Sequence, residues 1–208
     1  MAGDTGYRDW HLADPTLMDI LRVIIRRFDG WLSRVEGVKP FTDDPHCIMR
    51  IQVGHTFREL PLSGGTIPAG AGALLLHAWN ERMPRIPDGG PDLAYGLRLQ
   101  RLTISSLRLV ARHILSMPSM QELQAVGGVT AHIRLEQANG GRSMLEHLGF
   151  TIFPYRRPLG GFGEFWENFY TWWLMWTFNP ASTLRRKLWD LQRTEFWTTK
   201  DEFLQSYG

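Results

Sequence analysis

Cys47 is the only cysteine among 208 residues. One thiol excludes an internal disulfide framework and any zinc site built on cysteine pairs. Lysine is almost as scarce, with three Lys against twenty Arg. Arginine suits bidentate contacts to anions, although such a bias also follows from base composition alone. The net charge is only +2, too small for nucleic acid to be the default partner. The chain has no Walker loop, no Gly-x-Ser-x-Gly elbow and no Gly-x-Gly-x-x-Gly turn before a helix. Its histidines show no tight ligand spacing, so no metal site is expected.

Long apolar runs are also missing. None reaches the ~20 residues needed to cross a bilayer. The strongest, 172–178, follows Glu167 and Asn168 and is closed by Asn179-Pro180. Residues 1–14 hold no apolar run, which predicts a flexible arm and no secretory signal. The expectation is a cytoplasmic protein, with peripheral attachment to the inner face of a membrane left open. What is abundant is tryptophan. There are nine, six of them after Phe165.

Asp14-Pro15 marks a helix start. Leu17, Ile20, Leu21, Ile24, Phe28, Trp31, Leu32 and Val35 then recur at helical spacing, with Arg22, Arg26, Asp29 and Ser33 opposite. This predicts an amphipathic helix ending near Gly37. Alternation over 47–53 predicts a strand, and Gly54-His55 a hairpin return over 57–62. Residues 73–79 read as a buried central strand. A proline- and glycine-rich loop leads to a long helix over 92–117, a strand over 126–133, a helix over 137–148 and a strand over 151–155. Gly160, Gly161 and Gly163 predict a hinge before two helices, 164–178 and 182–197.

This order describes an α/β (α+β) fold, a mixed sheet of about five or six strands layered with helices. The expected division is an arm over 1–14, an α/β domain over 15–160 and an aromatic, basic helical tail over 161–208. Trp31 and Trp79 read as core of the main domain.

Three features carry candidate chemistry. His77, Asn80 and Glu81 end the central strand, where polar side chains suit binding or general base catalysis. A hydrogen-bonded core histidine and a strand cap would look the same. Arg98, Arg101, Arg108 and Arg112 form one stripe on the long helix, with no acid interrupting it. The stripe suits phosphate, cofactor or lipid headgroups, or is a solvated face. Finally, Trp166, Trp172, Trp173 and Trp176 precede Arg185, Arg186 and Lys187. Aromatics beside basic residues suit an anionic lipid surface, and equally a helix packed on its own domain or in a homodimer.

The segment from Asn139 through Gly140-Gly141-Arg142-Ser143 to Leu148-Gly149-Phe150 resembles the C-terminal half of GNAT-type N-acyltransferases. That resemblance implies acyl-CoA as cofactor, with Asn139 beside its arm and a phosphate-cradling loop after the fourth strand. The nearest loop here, Arg85-Ile86-Pro87-Asp88-Gly89-Gly90, departs from the pattern, because Asp88 replaces a glycine and prolines remove amide donors.

Residues 15–180 are similar to the YkoP-like domain. The similarity runs through the first helix, the strand at 48–53, Gly65-Thr66-Ile67 with Gly70, Leu76-His77 with Asn80, Ser105-Ser106-Leu107, Gly128-Val129-Thr130 and Leu148-Gly149-Phe150. It implies a bacterial, envelope-related setting and a fold like a reduced acyltransferase. Three functions stay open. One is an accessory or binding module at the membrane surface, serving an envelope lipid or glycan pathway. Another is an acyl-CoA-dependent N-acyltransferase with a degenerate cofactor loop and His77 or Glu81 as base. The third is a subunit that docks a partner envelope enzyme through its aromatic tail.

Overall fold

Residues 72–78 carry four consecutive buried positions, Ala73 to Leu76, a run that only a strand covered on both faces can satisfy. In the computed structural model, which describes residues 15–133, 140–155, 160–180, 183 and 191–208, this strand is β4 (Gly72–Ala78). It pairs antiparallel with β1 (Met49–His55) and parallel with β5 (Ala125–Ile133). β7 (Leu191–Thr199) follows β5, and β6 (Thr151–Pro154) closes the edge, giving the order β1-β4-β5-β7-β6. A small hairpin, β2 (Leu60–Leu62) with β3 (Gly65–Ile67), stands apart from this sheet. The mixed α/β architecture expected from the sequence is therefore present.

The helices are α1 (Pro15–Glu36), α2 (Leu93–Ser116), α3 (Gly140–His147), α4 (Gly160–Phe178) and α5 (Lys200–Tyr207). α2 starts where Asp92 accepts a hydrogen bond from the Tyr95 amide, and it stops before Pro118. Alternation along the strands separates two cores. Leu74, Leu76, Val126 and Phe196 pack with Leu107, Val110 and Ile114 of α2, Leu148 and Phe150 after α3, and Phe203 of α5. On the opposite face Ala73, Leu75, Ala125 and Trp197 pack with Leu60, Leu62 and Ile67 of the small hairpin. α1 and α4 cover the rest of that second face, tied to it by Arg50 and Arg193.

Four expectations need correction. The return over 57–62 does not pair with β1, whose partner is β4, because the 57–62 segment turns at Ser63-Gly64 into its own hairpin. The glycines at 160–163 open α4 and form no hinge. Residues 191–199 are a strand, and β7 lies between β5 and β6, so the end of the chain is built into the α/β sheet. Thr194, Phe196, Trp197, Thr198 and Thr199 are β-branched or aromatic, the residue types that fit a pleated, buried surface. Trp197 is fully buried, whereas Trp31 is 53% exposed and Trp79 is half-buried. The arm over 1–14 and residues 184–190 of the expected last helix lie outside the described residues.

Gly127 makes this sheet packing possible. A side chain there would place its Cβ 2.2 Å from the Phe196 carbonyl oxygen and 2.5 Å from the Trp197 ring. The neighbouring Gly128 would meet the Leu76 carbonyl oxygen at 2.8 Å. The Gly-Gly pair lets β4 and the Trp197 indole approach β5 closely.

Candidate functional site

β4 and β5 are paired at only three register positions, Ala73 with Ala125, Leu74 with Val126 and Leu75 with Gly127. Beyond Gly127 the strands no longer pair with each other, although β5 continues on β7 as far as Ile133. A cleft of about 500 Å³ occupies this parting. Its lining comes from both faces of the sheet: Leu76, Leu99, Thr103 and Phe196 from the α2 side, His77, Tyr170 and Arg193 from the α1 and α4 side. Only where two neighbouring strands separate can one cavity reach both faces.

The walls are mostly apolar, and a chain of polar groups runs along the α1 side. Arg50 of β1 contacts Asp29 Oδ2 at 3.4 Å and donates to Ser33 Oγ at 3.1 Å. Tyr170 of α4 donates to Asp29 Oδ1 at 2.7 Å. Burial, and then the bond to Asp29, raise the Tyr170 hydroxyl far above its ordinary range, so it stays a neutral donor. Burial, followed by repulsion from Asp29 and Glu167, also raises the Glu36 carboxyl.

His77 lies opposite Arg50 in the β1–β4 register and shares 2.9 Å with Gln52 Oε1. The Gln52 amide nitrogen donates to the Glu36 carbonyl at 2.7 Å, which leaves Oε1 as the acceptor facing His77. The proton is thereby assigned to His77 Nε2, and Nδ1 keeps its lone pair. Burial, and then the charge of Arg50, push the imidazole down to about 4. It is neutral at pH 7 and a poor acceptor of a proton from an ammonium group.

Next to the cleft is a more polar recess of about 600 Å³, lined by Arg22, Arg26, Glu81, Arg85 and Asp88 among others. Asn80, Met83, Ile86, Phe178 and Asn179 line both cavities. Asn179 fastens this shared wall. Its carboxamide accepts from the Ile86 amide and donates to the Pro84 carbonyl, both at 3.1 Å. Arg22 lines the recess and Arg50 the cleft, and the Nε of each is buried with no hydrogen-bond partner among the described residues. Buried donors of this kind are costly unless something accepts from them.

The residues singled out in the sequence are placed as follows. His77 lines the cleft, Asn80 lines both cavities, and Glu81 is exposed and lines the recess alone. Arg98, Arg101, Arg108 and Arg112 are exposed on α2, outside both cavities; α2 presents Tyr95, Leu99 and Thr103 to the cleft instead. Trp166 is 51% exposed, while Trp172, Trp173 and Trp176 are half-buried on α4, which lies against α1 and β7. Asn139, Arg185, Arg186 and Lys187 lie outside the described residues. No group of three or more His, Cys, Asp or Glu able to hold a metal occurs among the described residues. No described helix is long and apolar enough to cross a membrane.

Reading the sequence missed Asp29, Arg50, Tyr170, Arg193 and the α1 arginines as site residues. Arg50 had a visible signal, a charge inside an alternating strand, flanked by Met49 and Ile51. No family model, curated protein or solved structure matches this chain.

Proposed function

We propose that this protein is a binding module for an anionic amphiphile, with the apolar chain in the β4–β5 cleft and the anionic head in the adjoining arginine recess. The observation that carries this reading is that the two cavities adjoin, sharing the lining residues Asn80, Met83, Ile86, Phe178 and Asn179. The size and apolar lining of the cleft suit a small-molecule chain. Arg22, Arg26 and Arg85 outnumber Glu81 and Asp88 in the recess, and guanidinium groups suit the oxygens of an anionic head.

Calorimetry with a long-chain fatty acid, a long-chain acyl-CoA and CoA alone tests it. Heat is expected with the acylated ligands and not with CoA alone. Binding should fall sharply in Ala131→Phe, which fills the cleft, and in Arg22→Ala/Arg85→Ala, which empties the recess of charge. No binding of any acylated ligand by folded protein overturns the reading.

The parting of a parallel strand pair favours one second reading, the acyltransferase. An acyl group would pass from a thioester to an amine, forming an amide and releasing the free thiol. Two features argue for binding without turnover. The low basicity of His77 makes it a poor base, and Asp92 occupies the start of α2, where a phosphate would otherwise meet free amides. Thiol release from acyl-CoA in the presence of primary amines decides between the two.

A further inference from the structure

α1 faces the wrong way for an ordinary surface helix. Its inner side carries Ile25 and the polar Asp29 and Ser33, which meet Arg50. Its outer side carries Ile20, Val23, Ile24, Phe28, Trp31 and Val35, each 45–65% exposed. The helical spacing puts Ile20, Ile24, Phe28, Trp31 and Val35 on one apolar side, from which Trp31 was expected in the core. A row of large apolar side chains over about four helical turns is not maintained in water without a partner.

α4 extends this surface. Phe178 of α4 lies under the Arg26 guanidinium, Tyr170 meets Asp29 and the Phe28 ring, and Glu167 acts on Glu36. The two helices therefore run in opposite senses, and the start of α4 stands toward the α1 end that carries Trp31 and Val35. There Phe162 is 76% and Trp166 51% exposed.

We infer that the outer face of α1, continued by the first turns of α4, is a docking surface for an anionic lipid membrane. Charge selects this occupant. Arg27 and Arg34 lie seven residues apart along one edge of the stripe, both exposed and without a carboxylate partner among the described residues. Bulky apolar and aromatic side chains flanked by arginine match the acyl–headgroup boundary of an anionic bilayer. A second copy of this chain would have to meet those arginines with acids. The carboxylates of α1 and the first turns of α4 are Asp19, already paired with Arg22, the buried Asp29, Glu36, the half-buried Glu164, and Glu167, paired with Arg193. The surface also explains why the inner side of α1 is polar. Asp29, Leu32, Ser33 and Glu36 line the cleft, which is thereby held one helix away from the lipid.

Co-sedimentation of the full chain with vesicles tests the inference separately from ligand binding. The protein should pellet with phosphatidylcholine–phosphatidylglycerol vesicles and much less with phosphatidylcholine alone, and salt should weaken the binding. Ile20→Gln/Ile24→Gln/Trp31→Gln should lower the partition about tenfold or more, with its melting temperature and calorimetric ligand binding retained. Arg27→Glu/Arg34→Glu should abolish the preference for anionic vesicles. Failure of the wild-type chain to pellet overturns the inference. So does equal pelleting by the triple variant, which would assign lipid contact to another segment. A concentration-dependent dimer that the triple variant loses, without vesicle binding, would assign the face to self-association and also overturn it.

Discussion

On the side of the sheet that meets α2, α3 and α5, the strands present Leu74, Leu76, Val126 and Phe196 to an apolar layer. On the side that meets α1 and α4, the neighbouring positions are Arg50, Gln52, His77 and Arg193: Arg50 meets Asp29 and Ser33, with Tyr170 on Asp29, His77 meets Gln52, and Arg193 meets Asn168 and Thr171. The first face holds the fold together by area removed from water. The second buries charge and amide groups, and that is tolerated only because nearly every one has a partner. The comparison separates the residues that make the protein stable from those that make it specific, and the cleft opens where the two faces join.

The largest disruption of this contrast should come from Gly127→Val, since its Cβ would collide with backbone at 2.2 Å. A loss of more than about 4 kcal/mol is expected, visible as little or no folded protein in urea titrations. Phe203→Ala, on the apolar face, should cost about 3–5 kcal/mol in the same assay.

The polar face should answer differently to single and double changes. Asp29→Leu leaves the Arg50 guanidinium buried without its carboxylate and should cost about 3–5 kcal/mol. Asp29→Leu/Arg50→Leu should recover most of that loss, because no charge is then stranded. Equal losses in the single and double variants would show that the pair acts through shape and not charge.

His77 sharpens the comparison through pH. Its pKa is held at about 4 in the folded protein against an ordinary 6.5, so between those values the unfolded chain binds more protons. Stability therefore falls as pH drops from 7 to 4, by about 3 kcal/mol from this group. His77→Leu should flatten that part of the stability profile in urea midpoints measured across pH. The smallest effect should be that of Asn179→Ala, which frees the loop at 84–86 from the end of α4. About 1 kcal/mol of stability should be lost, with faster ligand release in stopped-flow measurements.

Much of the fold was legible because the relevant forces are local. The alternation in β1, the apolar run of β4, the Asp92 start and Pro118 stop of α2, and Gly149 at its left-handed φ of 81° after α3 all follow from backbone geometry and side-chain type. The cleft was half legible. His77 and Asn80 end the central strand and do line it, while the arginine stripe of α2, equally visible, faces away from it. Arg50, Tyr170 and Arg193 could not be placed beforehand, because each is brought to the site by a partner far along the chain: Asp29, Asp29 again, and Asn168 with Thr171.

The residues by themselves determined where α1, β1, β4, α2 and β5 form, that one cysteine allows no disulfide, and that tryptophan concentrates late in the chain. They did not determine which side of an element turns inward. α1 repeats its apolar residues as a core helix would, yet its inner side is chosen by Arg50, which needs the Asp29 carboxylate and the Ser33 hydroxyl more than Phe28 and Trp31 need cover. Of the late tryptophans, Trp197 went to the centre of the sheet because Gly127 leaves room only for its ring, and Trp166 stayed exposed on α4. Such choices depend on groups that meet only after the chain has folded, so they belong to the tertiary structure alone.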